Sequence, residues 1–98
     1  MTLTNSQKRY LRGLTHHIKP VVMVAEKGLT ENVMAAIEEA LDRHELIKVK
    51  LRAERAERRA WSEEISTRCK AIPVHSIGQT ACFYRRNRKD PVIELPRR

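Results

Sequence analysis

The chain has 98 residues, the length of one domain, and carries 20 Lys and Arg against 12 Asp and Glu, a formal net charge of +8. That excess argues against cationic or purely apolar partners and fits a polyanion. Hydrophobic residues make up 41%, enough for a folded core, while 4% aromatics are too few for the broad stacking platform of single-strand binders. No apolar run approaches the ~20 residues of a membrane helix, and the basic N-terminus lacks a signal-peptide apolar region. Cys69 and Cys82 cannot form the disulfide framework of a small secreted protein, and they share no zinc-ligand spacing with His16, His17, His44 or His75. They read as small buried thiols in a cytoplasmic protein with no metal, no cofactor and no membrane contact.

Thr4 offers an N-cap with Gln7 three residues on, the pattern of a capping box, and Tyr10, Leu11, Leu14 and Ile18 follow at helical spacing. This predicts a helix over Asn5 to Thr15. Pro20 then bars continuation, and Val21-Val22-Met23-Val24 is an unbroken, β-branched run that suits a strand buried on both faces. After a tight Ala25–Gly28 connection, Thr30 is the expected N-cap of a helix over Glu31 to Arg43, with Val33, Ile37 and Leu41 on its apolar face. Residues 47–53 alternate strictly, so a strand there sends Ile47, Val49 and Leu51 into the core and gathers Lys48, Lys50 and Arg52 on the other face.

Glu54 to Lys70 are good helix formers with Trp61, Ile65 and Cys69 spaced by four. Ile72 prolongs that stripe and Pro73 ends the segment. Trp61 reads as a core anchor. Val74–Ile77 and Thr80–Tyr84 flank Gly78-Gln79, a two-residue hairpin turn with glycine first. The segment from Arg85 to Lys89 is densely basic, and Val92–Leu95 suits a short edge strand. The predicted class is therefore α/β, one compact domain over residues 1–98, with helices packed on a four-stranded mixed sheet. Strand–helix–strand units imply parallel pairing and the closing hairpin adds an antiparallel pair.

No Walker loop, dinucleotide fingerprint, nucleophile elbow or metal-ligand cluster is present in the sequence, so no catalytic residue is assigned and the chain is not expected to be an enzyme. Three features point to anion binding instead. Lys27 and Gly28 sit where Thr30 starts a helix, and a helix start attracts phosphate through its free N–H groups. Lys48, Lys50 and Arg52 form a basic stripe on one strand. Arg85, Arg86, Arg88 and Lys89 follow directly on the last strand, and Arg grips phosphate bidentately.

Several segments together resemble the YhbY-like RNA-binding proteins, the stand-alone bacterial form of the CRM domain (chloroplast RNA splicing and ribosome maturation). They are Lys19-Pro20-Val21-Val22, Lys27-Gly28-Leu29-Thr30, His44-Glu45-Leu46-Ile47-Lys48-Val49-Lys50, and Ile77-Gly78-Gln79-Thr80 with Tyr84-Arg85. The resemblance spans nearly the whole chain, from the Gln7–Leu14 helix to Leu95-Pro96-Arg97. It implies a fold close to the C-terminal domain of translation initiation factor three, RNA binding, and association with large ribosomal subunit precursors. Many members carry a GxxG loop after the first strand, likened to the KH loop that clamps nucleic-acid backbone. Here it reads Ala25-Glu26-Lys27-Gly28, so only the second glycine matches and the role carries over to Lys27 and Gly28.

The sequence thus predicts a non-enzymatic protein, monomeric when free, that binds ribosomal RNA and assists large-subunit assembly. Lys27, Gly28 and Thr30 would hold phosphate, Lys48, Lys50 and Arg52 would offer a basic surface, and Arg85, Arg86, Arg88 and Lys89 would extend it. The alternative is a ribosome-docking adaptor that mainly contacts ribosomal proteins. Non-specific DNA binding ranks lower, because no recognition helix follows a helix–turn–helix pattern.

Overall fold

Along residues 2–97, which the computed structural model describes, helix and strand alternate until a closing hairpin. The order is α1 (Asn5–Leu14), a 3₁₀ turn (Thr15–His17), β1 (Pro20–Val24), α2 (Glu31–His44), β2 (Leu46–Leu51), α3 (Arg55–Cys69), β3 (Ile72–Ile77) and β4 (Thr80–Tyr84). The local signals act as chemistry requires. Thr4 Oγ1 accepts the Gln7 N–H at 3.2 Å while Gln7 Oε1 accepts the Thr4 N–H at 3.0 Å, closing the capping box. Thr30 Oγ1 takes the Val33 N–H at 3.2 Å and starts α2. Gly78 adopts φ +54°, which lets two residues join Ile77 to its partner Thr80.

Three helices pack on a four-stranded mixed sheet of order β1-β2-β4-β3. β1 and β2 are parallel neighbours joined through α2, and β4 runs antiparallel to both β2 and β3. One sheet face sends Val24, Ile47, Val49, Leu51, Ala81 and Phe83 against Met34, Ile37 and Leu41 of α2 and Trp61, Ile65 and Cys69 of α3. Each fully buried Leu or Ile there contributes roughly 1.5–3 kcal/mol by leaving water. On the opposite face Leu46 and Tyr84 lie with Leu3 and Leu11, and Ile93 and Leu95 close the same cluster. That second cluster covers one end of its face, and β2 continues beyond it with Lys48 and Lys50. Cys69 and Cys82 are buried free thiols, and burial pushes both above the ordinary cysteine range.

Three expectations are corrected by the sheet. β1 is an edge strand rather than one buried on both faces: Val21 is 48% exposed and Met23 51%, and only Val24 is fully enclosed. α3 ends at Cys69, because Lys70 turns left-handed (φ +53°, ψ +43°), and Ile72 begins β3 instead of extending the helix. Residues 92–95 form no strand. Their apolar side chains Ile93 and Leu95 still reach the second cluster, but the backbone N–H groups of Val92 and Ile93 bond to Glu45 rather than to a ladder.

Candidate nucleic-acid interface

Alternation along β2 turns Ile47, Val49 and Leu51 to the helices, so Lys48 and Lys50 must face the other way. Strand register then builds two rows across the face away from α2 and α3, open at the first row and covered over Cys82 in the second. Met23, Lys50, Thr80 and Ile77 form one, and Pro20, Lys48, Cys82 and His75 the other. Met23 at 51% and Ile77 at 59% exposed stand at the two ends of the Lys50 row, giving a surface of apolar side chains beside an ammonium head. Burial lowers the His75 pKa, and Arg12, His16 and Lys48 all push it further down. The His16 and His75 rings meet edge to face with centroids 6.1 Å apart, and His75 Nε2 is buried without a partner among the described residues. Arg12 and His16 therefore border the lysine rows. Sequence reading missed both, although their spacing of four places them on one side of the α1 segment.

The connection after β1 is a turn closed by the Gly28 N–H on the Ala25 carbonyl at 2.8 Å. Gly28 holds φ +70°, a conformation that disfavours any side chain, and the Trp61 indole backs it: a Cβ at Gly28 would lie 3.7 Å from Trp61 Nε1. Lys27 is exposed on this turn, beside exposed Glu26 and Glu31. The Thr30 hydroxyl oxygen is occupied by the Val33 N–H, so Thr30 shapes the helix start. Arg52, one residue past β2, donates its N–H to the Val24 carbonyl at 2.8 Å and stands exposed beside the same turn. Lys27, Gly28, Thr30 and Arg52 thus gather at the sheet end toward which Lys48 and Lys50 lead.

The basic tail lies at the other end of the sheet, since Tyr84 pairs with Leu46. Arg85 departs from expectation. Its guanidinium turns inward, bonding the Glu38 carboxylate, Asp42 Oδ1 at 2.8 Å and the Cys69 carbonyl at 2.9 Å. Arg86, Arg88 and Lys89 are exposed, on a loop that Glu45 holds. The buried Glu45 carboxylate accepts the N–H groups of Asn87 at 2.7 Å, Val92 at 2.8 Å and Ile93 at 2.6 Å. Asn87 Oδ1 in turn accepts the Lys89 N–H at 3.0 Å and the Asp90 N–H at 3.1 Å. Tyr84 is fully buried, so its ring packs and cannot stack on a base.

A basic sheet face beside a glycine turn backed by tryptophan can be compared with known proteins. Residues 3–85 match the CRS1 / YhbY (CRM) domain model. The chain belongs to that family. A probable RNA-binding protein of Pseudomonas aeruginosa is 51% identical over 90 residues, covering 91% of this chain and 86% of that protein. An RNA-binding protein of Haemophilus influenzae is 45% identical over 98 residues, 99% of this chain and 98% of that one. Among solved structures, a hypothetical protein of Staphylococcus aureus, described as a candidate RNA binder, superposes with a TM-score of 0.82 at 34% identity, covering 97% of this chain and all of that one. The CRM-family membership and the three-helix, four-strand architecture agree.

Proposed function

We propose that this CRM-family protein binds RNA through the open sheet face, and that its target is the ribosomal RNA of large-subunit precursors. The carrying observation is the pair of rows in which Lys50 stands between exposed Met23 and Ile77 and Lys48 beside exposed Pro20, bordered by Arg12 and led into the Lys27–Gly28 turn. Such a surface neutralises phosphates and offers aliphatic contact without needing aromatic stacking, in keeping with the low aromatic content. The names of the Pseudomonas and Haemophilus relatives support RNA as the partner, and the family resemblance supports the ribosomal destination. Arg86, Arg88 and Lys89 extend the contact from the far end, whereas Arg85 serves the fold. The role is that of a binding module without a catalytic step.

Fluorescence anisotropy against a large-subunit rRNA fragment, at fixed salt and with a duplex DNA of equal length, tests the RNA part. Lys48→Ala with Lys50→Ala is expected to weaken RNA binding about tenfold and to flatten the log–log salt slope by ~1.4, two phosphates at roughly 0.7 each. Unchanged affinity and slope in a folded variant would remove the sheet face from the interface. Crosslinking in cells tests the ribosomal part: reads should peak on large-subunit rRNA, and an even spread over messenger RNA would overturn it.

A further inference from the structure

A groove of about 600 Å³ lies on the helix-covered side, between the first half of α3 and the β3–β4 hairpin. Arg55, Arg58, Arg59 and Ser62 form its helical wall, Pro73 and Ser76 stand on its strand wall, and no Asp or Glu is among its described lining residues. None of these arginines pairs with a carboxylate among the described residues, since the ion pairs there involve Arg43, Arg68 and Arg85. Helix stability does not explain them either. They crowd the positive end of the α3 dipole, where acids are favoured, three arginines against Glu54 at the N-cap and Glu57 in the first turn. Arg58 is anchored by its Nη1 on the Ala53 carbonyl at 2.8 Å, which leaves Arg55 and Arg59 as the freer cations.

The groove's edge strand narrows the choice of occupant. A peptide adding to β3 would need a continuous row of backbone partners, but Pro73 has no N–H and the register shifts between Pro73 and His75. A polyanionic chain that pairs with side chains instead meets no such obstacle. The volume is of ligand-pocket size, enough for a segment of single strand and too small for a duplex. Guanidinium planes supply both bidentate phosphate contacts and surfaces on which bases stack. The groove also joins the sheet face: Arg52 bonds to Val24 at the sheet end, and the Leu51 N–H holds the Gln79 carbonyl at 2.6 Å, fixing the hairpin tip beside it. Lys48, Lys50, Arg52, Arg55 and Arg59 therefore follow the chain from one side of the sheet to the other.

We infer that single-stranded RNA leaving the open sheet face rounds the hairpin tip and continues into the α3–β3 groove, held there by Arg55 and Arg59. This rests on the RNA-binding reading, and the test separates the two. Wild type, Arg55→Ala with Arg59→Ala, Lys48→Ala with Lys50→Ala, and a control of equal charge change at exposed positions of α2 and α3 outside both surfaces (Arg43→Ala with Arg68→Ala) are titrated with a fluorescein-labelled single-stranded RNA across a salt series. The groove variant is expected to lose about tenfold in affinity and ~1.4 in salt slope, clearly more than the control. A groove variant no weaker than the control, beside a sheet-face variant that fails, overturns the groove and leaves the sheet-face reading standing. Wild type that binds no RNA overturns both. Decaglutamate binding as tightly as RNA, and lost in the same groove variant, gives the groove to an acidic peptide and overturns this assignment.

Discussion

Arg85 shows how a cation that looks available in sequence can belong to the core's framework. Its side chain is 22% exposed and ties the end of β4 to α2 through Glu38 and Asp42 and to the end of α3 through the Cys69 carbonyl. The Asp42 arm contributes little, because that carboxylate is largely exposed, whereas the partly buried Glu38 and carbonyl bonds hold more. Removing the guanidinium leaves both without their donor. Arg85→Ala is expected to cost roughly 2 kcal/mol of unfolding free energy, against less than about 0.5 for exposed Arg86→Ala. Urea unfolding of the two variants decides it, and equal midpoints would show that the clamp carries no weight. The sequence placed Arg85 correctly at a strand end. Its direction was hidden because Glu38 and Asp42, four residues apart on α2, reach it only once α2 lies across the sheet.

Elements whose pattern is set by one period were legible, and those where two periods overlap were not. β2 alternates without a break, and every side chain from Ile47 to Leu51 falls on its expected face. α2 was equally plain, with Thr30 to start it and Ile37 and Leu41 wholly buried. At the α3–β3 junction, Ile72 continues the helical stripe of Trp61, Ile65 and Cys69 yet also starts a strand, so periodicity could not choose. The backbone chooses through Lys70, whose left-handed turn sends the Ala71 N–H to the Ser66 carbonyl at 3.0 Å and the Ser66 hydroxyl to the Ala71 carbonyl at 2.6 Å. β1 misled for another reason: apolar continuity signals burial on both faces only where both faces are covered, and β1 packs Val22 and Val24 under the helices while Met23 stands on the open face. A lysine in the left-handed region is strained, and a glycine there is the usual helix stop. Lys70→Gly is expected to stabilise the protein by about 0.5–1 kcal/mol, the relieved strain exceeding the added freedom of the unfolded chain. A rise in thermal midpoint would confirm it, and a fall would mean that the Lys70 side chain makes a contact worth more than the strain.

At the scale of the whole molecule, the basic surface is divided, and one buried acid keeps the division in place. Lys48, Lys50, Arg52 and Lys27 lie toward one end of the sheet, and Arg86, Arg88 and Lys89 beyond the other, on a segment with no helix or strand of its own. That segment is ordered by Glu45, which is fully buried and stands at φ +63° between α2 and β2. Its carboxylate gathers the N–H groups of Asn87, Val92 and Ile93, and its carbonyl accepts the Arg85 N–H at 2.9 Å. An anion held by several backbone donors needs both oxygens as acceptors. Glu45→Gln keeps the shape but replaces one acceptor with an NH₂ group, so at least one backbone N–H is left facing a donor. The expected cost is roughly 1–3 kcal/mol, concentrated in the tail because α2 and β2 retain their own packing. Amide exchange should accelerate at Asn87, Val92 and Ile93 while Val49 and Phe83 keep wild-type protection. Because Ile93 and Leu95 close the cluster around Leu11, Leu46 and Tyr84, loosening the tail also wets that cluster, and Leu46 should lose part of its protection. Tail amides as protected as in the wild type would show that the remaining contacts hold the segment, namely Ile93 and Leu95 in the cluster, Asn87 Nδ2 on the Asp42 carbonyl at 2.9 Å and Gln7 Nε2 on the Pro96 carbonyl at 3.0 Å, leaving Glu45 no part in presenting Arg86, Arg88 and Lys89.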